Sequence, residues 1–396
     1  MGTRPKVNTP DRHLRYSRLA RILLLPFFSL FFFIIPDSAL AVPAFSRQIG
    51  RDCTFCHKLF PKLNETGRTF RANGYRLAGE GEWKDVKDWA SIPASFEMEV
   101  EGIYNKFKTS GLRTESSDLK IEEAELIAGG AMGKTGKVSA FGIIKFEQTD
   151  TGSDTTIHKA FVQINDLAGP YGEGFLNLRA GQWDMGLPFL NPPGAVITNR
   201  YLAESRLNIL TFEQRAVELN GSYSYGDERT FAHRYSIGVS REDVNGDDKL
   251  KGYYAIYSLS FNENYNLGLI YRGGKEKSGA EDVSYNKYGI AAEAGTGPFT
   301  FTAGYFKSDR SGNGDAEDYL AEVLYMPLPR VSFAGRFDEL KEKGKKGARS
   351  QTLMARYNIL SNVSAQLELR RLSDDDHAVG ANEREDKARV ILTAIF

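Results

Sequence analysis

From about residue 94 to the end of the chain, hydrophobic and polar residues alternate in repeated runs. Residues 96–101, for example, read Phe-Glu-Met-Glu-Val-Glu. Because successive side chains of a strand point to opposite faces, each such run predicts a β-strand with one apolar and one polar face. Sixteen strands are predicted in this way, at 95–107, 119–132, 137–149, 157–167, 174–184, 214–225, 232–243, 251–262, 264–273, 283–294, 298–308, 316–326, 329–339, 349–359, 361–372 and 386–396.

The connections between these predicted strands alternate in length. The short ones include 133–136, 295–297 and 327–328, and the long ones include 185–213, 340–348 and 373–385. Bacterial outer-membrane barrels have an even number of strands, short periplasmic turns and longer extracellular loops. Residues 94–396 are therefore predicted to form an all-β transmembrane barrel of antiparallel strands. A soluble β-sandwich also alternates, but so many strands of this length are unusual for that fold.

The first 41 residues have the pattern of a secretory signal peptide. A basic stretch ends at Arg21, an apolar run covers 22–35, and Ser38-Ala39-Leu40-Ala41 follows as a cleavage site of the A-x-A type. The alternative is a membrane anchor, but about twenty apolar residues are needed to span a bilayer and this run is shorter. We expect export with cleavage after Ala41.

Charge and hydropathy change this interpretation little. The whole chain has 51 basic and 51 acidic residues, and without the predicted signal peptide 45 and 49 of them remain. A mildly acidic chain with no basic patch argues against a nucleic-acid partner. The mean hydropathy of −0.39 is compatible with a barrel, because only alternate residues of a barrel face lipid.

Between the signal peptide and the barrel, residues 42–93 contain both cysteines of the chain, in the run Cys53-Thr54-Phe55-Cys56-His57. This is the attachment pattern of c-type haem. Two thiols at this spacing can bond to the two vinyl groups of one haem, and the adjoining imidazole can then serve as the proximal iron ligand. We therefore predict one covalently bound haem c, held by Cys53 and Cys56 with His57 as axial ligand.

Three alternatives compete with haem attachment. The cysteines could form a redox disulfide, but the βαβ pattern that usually carries one is absent. They could form half of a zinc site, but no second cysteine pair completes it. The match could also arise by chance, although export favours haem, because c-type haem is attached outside the cytoplasm.

A short helix is predicted after the haem motif. Phe60, Leu63, Gly67 and Phe70 recur at intervals of three and four residues, which is typical of one helical face. This face would lie on the porphyrin, with Gly67 allowing close approach. Packing on any other neighbour would give the same periodicity. Arg68 and Arg71 lie off this face, where they could pair with haem propionates or be exposed to solvent.

The second axial ligand is not evident near the motif, since 42–95 contains no other histidine or methionine. In the predicted strands, the period-two pattern directs His158 outward, with Ala160 and Val162. It directs Met354 inward, with Arg356. A methionine in the lumen is a candidate ligand, so Met354 is our sequence-based choice for the sixth position, with simple packing as the alternative.

Acidic residues mark two further places. The predicted inner face of the first strands carries five glutamates, which either attract cations or simply form a polar lumen wall: Glu97, Glu99, Glu101, Glu123 and Glu125. The run 374–377, Asp-Asp-Asp-His, falls in the last predicted external loop. It is a candidate docking patch for iron, although acidic loops are usually just solvated.

The chain around the motif resembles the fused cytochrome–porin family, whose members include iron-oxidising cytochromes of the outer membrane. The resemblance rests on Pro43–Gly50, Cys53–His57, Phe60–Leu63, Gly67–Phe70 and Gly74-Tyr75, with Ile49 departing from the threonine of the family pattern. Over the barrel, the resemblance is one of length and strand count. It implies oxidation of extracellular Fe(II), with electrons passed to a periplasmic c-type cytochrome.

Three functions are compatible with the sequence. The first is an electron conduit in the outer membrane, in which the haem segment plugs the barrel and links an extracellular donor, such as Fe(II), to a periplasmic carrier. The second is a diffusion porin with an accessory or sensing haem. The third is a haem enzyme, which needs an open iron site, so whether the chain is an enzyme is left open.

Overall fold

The structure is a computed structural model that describes most of the chain. The described residues are 44–77, 94–109, 112–133, 135–149, 152–190, 196–225, 230–241, 250–278, 281–311, 314–343, 347–377 and 381–396. The predicted signal peptide and the predicted boundary near residue 93 lie outside them. In the described part of the chain, no helix is long and apolar enough to cross a membrane.

Sixteen antiparallel strands close into one barrel, as the sequence predicted. Each strand pairs with its neighbour in the chain, and the last strand pairs with the first, with Ile391 opposite Glu101. Two short strands, β1 (His57–Leu59) and β2 (Lys62–Leu63), precede the barrel. The barrel strands are β3 (Ala94–Thr109), β4 (Leu112–Met132), β5 (Val138–Thr149), β6 (Gly152–Ala168), β7 (Leu176–Met185), β8 (Thr211–Tyr225), β9 (Phe231–Arg241), β10 (Leu250–Phe261), β11 (Tyr265–Ser278), β12 (Glu281–Thr296), β13 (Phe299–Arg310), β14 (Gly314–Leu328), β15 (Val331–Glu342), β16 (Ala348–Leu360), β17 (Val363–His377) and β18 (Ala381–Ile395).

The faces of the strands follow the predicted alternation. In β15, Phe333 and Phe337 are exposed on the outside of the barrel, whereas Ala334 and Asp338 are buried in the lumen. The same contrast holds around the barrel, where large apolar side chains cover the outside and buried polar ones line the inside. This is the arrangement that a lipid-facing barrel requires.

Most of the predicted long loops are instead extensions of the strands. Residues 108–109 and 112–118, predicted as part of a connection, extend β3 and β4, with Lys108 paired to Arg113 and Thr109 to Leu112. Nearly all of 112–118 is polar, so no apolar face marks it as a strand. The sequence pattern therefore failed where both faces of a strand are polar.

The connection between β7 and β8, residues 186–210, is long as predicted, but its described residues fold inward. It contains a short helix, α3 (Leu202–Ser205), which follows α1 (Ala44–Ile49) and α2 (Glu65–Ala72) in the chain. Leu187, Leu202 and Ile209 pack against inward-facing wall residues such as Phe306 and Leu320, forming an apolar core inside the barrel.

The N-terminal segment, residues 44–77, also lies in the lumen. It consists of helix α1 (Ala44–Ile49), a 3-10 turn (Cys53–Phe55), the strands β1 (His57–Leu59) and β2 (Lys62–Leu63), and helix α2 (Glu65–Ala72). It contacts inward-facing groups on many strands around the barrel, and we call it the plug.

Contacts at its two ends place the plug at the short-turn mouth of the barrel. At one end, the backbone N–H of Ala44 donates to Ser95 at the start of β3 over 2.6 Å. At the other, the side chain of Asn73 donates to the carbonyl of Gly172, in the turn between β6 and β7, over 2.7 Å. In outer-membrane barrels, the mouth with short turns faces the periplasm.

Candidate functional site

One cavity of about 500 Å³ lies between the plug, the barrel wall and the inward loop. Both cysteines and His57 line it, together with wall residues of β3 to β6 and residues 196–201 of the loop. Most of the wall area of this cavity is apolar, although several charged side chains also line it. A cavity of this volume is typical of a cofactor site.

The local fold directs both thiols toward this cavity. Asp52 caps the 3-10 turn by accepting hydrogen bonds from the backbone N–H of Thr54, over 3.0 Å, and from its hydroxyl. Side chains three residues apart lie on the same side of such a turn, so Cys53 and Cys56 face the same space. Both are free thiols, and burial raises the pKa of Cys56 to about 11.

His57 is oriented by its neighbour in the plug. Its Nδ1 lies 3.1 Å from the carbonyl oxygen of Pro61, and a carbonyl can only accept, so Nδ1 carries the hydrogen. Burial lowers the pKa of His57 to about 4, which leaves the ring neutral with a lone pair on Nε2. Histidines that bind metals usually have this arrangement.

Aromatic rings form one wall of the cavity. Phe45 stacks on Tyr75 with 5.0 Å between ring centroids, and Tyr75 stacks on Phe141 of the barrel at the same distance. Phe70 meets Phe45 edge to face. Flat apolar surfaces of this kind suit a planar ring system.

Charged groups form another part of the wall. Glu97, Glu99, Glu123 and Glu125, all predicted to face the lumen, line the cavity. Glu101 also faces inward, as predicted, where it pairs with Arg389. The predicted polar face of the first strands is therefore the lumen wall.

The helix after the motif is shorter than predicted. It begins at Glu65, with Asn64 as its cap, whose side chain accepts from the N–H of Gly67 over 2.9 Å. Phe60 and Leu63 precede the helix, in the β1–β2 hairpin or beside it. The prediction was wrong because a hairpin followed by a helix reproduced the three- and four-residue spacing by coincidence.

Gly67 permits a close approach, but to the motif's own backbone. A Cβ at this position would lie 2.2 Å from the carbonyl oxygen of Cys56. The glycine therefore lets α2 pack directly on the turn that carries the thiols.

The two arginines of α2 differ in their surroundings. Arg68 is buried, so the expectation of solvent exposure was wrong for it; it lies 3.3 Å from Glu65 and 3.8 Å from Glu293 of β12. Arg71 lines the cavity. Of the two, only Arg71 faces the cavity.

Met354 faces the lumen, as the alternation of polar and apolar residues in its strand predicted. It is buried among Leu59, Val196 and Ile197 and is absent from the residues that line the cavity. Its role as an iron ligand stays a prediction.

His158 was predicted to face outward, and this was wrong. The pairing of β5 with β6 shifts between Ile143 and Ile144, whose partners are Lys159 and Ile157. His158 is the extra residue of this β-bulge, and its ring lines the cavity.

The acidic run 374–377 belongs to the end of β17 and not to a loop. Asp374 lies 2.6 Å from Arg206 of the inward loop. It therefore ties that loop to the wall, a role that its position in the sequence did not indicate.

Sequence reasoning missed the contribution of the inward loop to the site. Thr198, Asn199 and Glu204 line the cavity, and burial raises the pKa of Glu204 to about 8. No local pattern distinguishes a loop that folds inward from one that extends outward, so the sequence carries no signal for these residues.

Comparisons with known proteins concern the barrel. A family model described as Gram-negative porin matches residues 202–377, from α3 to the end of β17. No curated protein matches the chain. Among solved structures, the chain is similar to the outer membrane channel DcaP of Acinetobacter baumannii, with 12% identity, a TM-score of 0.57, and coverage of 81% of this chain and 100% of that one.

Two further porins are similar. The anion-selective porin from Comamonas acidovorans has 12% identity and a TM-score of 0.57, with 76% of this chain and 99% of that one covered. OmpF of Salmonella typhi, in complex with daunomycin, has 11% identity and a TM-score of 0.54, covering 76% of this chain and 97% of that one. At this identity the likeness is one of fold.

The closed barrel, its apolar outer surface and the porin match define the class of protein. The chain is an outer-membrane β-barrel with porin architecture, embedded in the lipid of that membrane.

Proposed function

We propose that this barrel transfers electrons across the outer membrane through a single haem c, attached to Cys53 and Cys56 with His57 as axial ligand. One observation carries the proposal: both thiols and the Nε2-free imidazole line the same apolar cavity inside the lumen. The spacing of the motif is the one that covalent haem attachment requires.

When bound, the haem would supply one-electron redox chemistry, and the protein would tune it. The chain's own residues have separate tasks. The two thiols would hold the group, the carbonyl of Pro61 orients His57, and the stack of Phe45 and Tyr75 would keep water from its side of the cavity. The barrel wall separates the site from lipid.

The position of the plug supports an electron path between the extracellular side and the periplasm. The plug lies at the short-turn mouth, where a periplasmic c-type cytochrome could approach. Residues 196–201, from the loop that enters at the opposite mouth of the barrel, also line the cavity. We propose an extracellular donor on that side, and the family resemblance favours Fe(II).

A diffusion porin is the second candidate, and the similarity to solved outer-membrane channels favours it. Two features of this chain oppose an open pore. The plug and the inward loop both occupy the lumen, and the side chain of Lys62 joins them by donating to the carbonyl of Phe189 over 3.2 Å. A wide aqueous path would require both to move.

The test uses purified full-length protein and the Cys53→Ala, Cys56→Ala double variant. We expect the wild type to stain for covalent haem on a denaturing gel and its oxidised haem bands to change when Fe(II) is added without oxygen. The variant should lose the stain because no thioether bond can form.

A heat-dependent shift in gel mobility will show whether the variant barrel still folds. Wild-type protein without covalent haem would refute the haem assignment. Haem that Fe(II) does not reduce would refute Fe(II) as donor and leave the electron-transfer proposal to other donors.

A further inference from the structure

His158 occupies an unusual position for a residue of β6. Ala160 and Val162, two and four residues further along the strand, face outward, and the preceding Ile157 is 61% exposed on the outside. The bulge inserts His158 between Ile157 and the buried Lys159, so two consecutive side chains point inward. Bulges that redirect a side chain are frequent beside functional sites.

Two carboxylates flank the imidazole of His158. Its Nδ1 lies 2.7 Å from Oε1 of Glu125, whose side chain is buried. Its Nε2 lies 3.4 Å from Oε1 of Glu213, whose side chain is half exposed. The contact with Glu125 is shorter and more shielded from solvent than the contact with Glu213. A carboxylate can only accept a hydrogen bond, so Nδ1 carries the hydrogen.

A carboxylate on one ring nitrogen is the usual arrangement for a histidine that binds a metal through the other. It fixes the tautomer and increases the basicity of the free nitrogen. Glu213 does not block this role, because its exposed carboxylate can return to water when Nε2 takes another partner.

Three other side chains on the cavity wall that could bind iron are already engaged. The amine of Lys159 lies 2.6 Å from Asp184. Tyr75 is held in the aromatic stack, and Tyr201 lies under the guanidinium of Arg336, 3.8 Å from its ring centroid. Among the described residues that line the cavity, His158 is the one imidazole besides His57.

We propose that His158 is the second axial ligand of the haem, binding the iron through Nε2 while Glu125 holds Nδ1. The proposal rests on the proposed function, since it requires a haem in the cavity. A pair of imidazoles makes the iron six-coordinate and low-spin. Such a site has a lower reduction potential than one with a histidine and a methionine, and it has no open position for a peroxidase.

The experiment compares wild-type protein with His158→Ala, His158→Met, Met354→Ala and His233→Ala. His233 is a matched control, because it lies on the outside of the barrel against Tyr257. Covalent haem is measured first, by staining and by the reduced pyridine complex. Spin state and ligation are then read from electron paramagnetic resonance and near-infrared magnetic circular dichroism.

We expect low-spin haem with two nitrogen ligands in the wild type, in Met354→Ala and in His233→Ala. His158→Ala should lose the low-spin signal and regain it with added imidazole, whereas His158→Met should gain a sulfur-to-iron absorption band. The imidazole rescue separates ligation from a purely structural role.

Low-spin haem in His158→Ala identical to the wild type would overturn the proposal, and so would loss of the signal in Met354→Ala alone. If His158→Ala assembles no haem, the His158→Met spectrum decides, because only a true ligand position moves sulfur onto the iron. Absence of covalent haem from the wild type would overturn the proposed function and this inference together.

Discussion

Gly67 of α2 packs directly against the turn that carries Cys53 and Cys56. The peptide carbonyl of Cys56 lies where a side chain at residue 67 would begin. A methyl group there must push α2 away from the turn that carries both thiols. Overpacking of this kind costs about 1–3 kcal/mol.

We therefore expect Gly67→Ala to lower the yield of covalent haem, because the thiols no longer face the cavity together. The measurement is haem stain per unit of folded barrel on a gel. Gly142→Ala is the control, since a Cβ at that position would meet its nearest neighbour at an ordinary 3.7 Å. Equal haem yields in the two variants would show that the close approach is not needed.

Side-chain direction in the strands also depends on single residues. Met354 lies where its period-two phase predicts, but one inserted residue turns His158 from lipid to lumen. The sequence shows which residues of an alternating run share a face of the strand. It does not show where a bulge interrupts the alternation.

At the scale of elements, an ion pair fastens the plug to the barrel. The guanidinium of Arg76 donates to both carboxylate oxygens of Asp166 in β6, over 2.7 and 3.0 Å, with both side chains buried. Asp166 also accepts from the N–H groups of Gly172 and Gly174. The C-terminal end of the plug is thereby tied to a short turn of the barrel.

Replacing Arg76 with Ala should loosen the plug, because it leaves a buried carboxylate without its partner. Breaking such a pair costs about 3–5 kcal/mol. We expect trypsin to cleave the plug faster while the barrel keeps its heat-modifiable mobility. Arg76→Lys should be intermediate, since lysine keeps the charge but cannot form both hydrogen bonds.

The control for this experiment is Arg349→Ala. Arg349 pairs with Glu339 over 2.7 Å, but its side chain is 66% exposed, and exposed pairs contribute little to stability. Cleavage at the wild-type rate in Arg76→Ala would show that the plug is held by its other contacts.

The barrel as a whole combines a porin wall with a filled lumen. Sixteen strands enclose enough space for an aqueous channel, yet the plug enters from the short-turn mouth and the loop between β7 and β8 enters from the other end. The two meet where Lys62 contacts the carbonyl of Phe189, and Lys62 also pairs with Glu293 over 2.5 Å.

We expect purified wild-type protein to give single-channel conductance in planar bilayers far below that of a sixteen-stranded barrel with an open lumen, because both inward elements block ion flow. Arg76→Ala should add brief openings as the plug detaches. Stable wild-type steps of the size expected for an open lumen would favour the diffusion-porin alternative.

Much of this architecture could be predicted from the sequence, because its signals are local. Because the pleat makes side chains alternate, the period-two runs identified all sixteen strands. They also predicted that the glutamates between Glu97 and Glu125 on the polar face point into the lumen. The haem motif is likewise a local signal, because Cys53, Cys56 and His57 lie within five consecutive residues. The structure brings these three residues to one cavity, as the haem prediction requires.

The remaining features depend on contacts between residues far apart in the chain. Arg68 is buried beside Glu293 of the barrel wall. Residues 196–204 reach the cavity because their loop folds inward onto an apolar wall. His158 joins the site because the neighbouring strand pairs out of register around it. Such contacts come from closure of the barrel, so only the tertiary structure decided what fills its lumen.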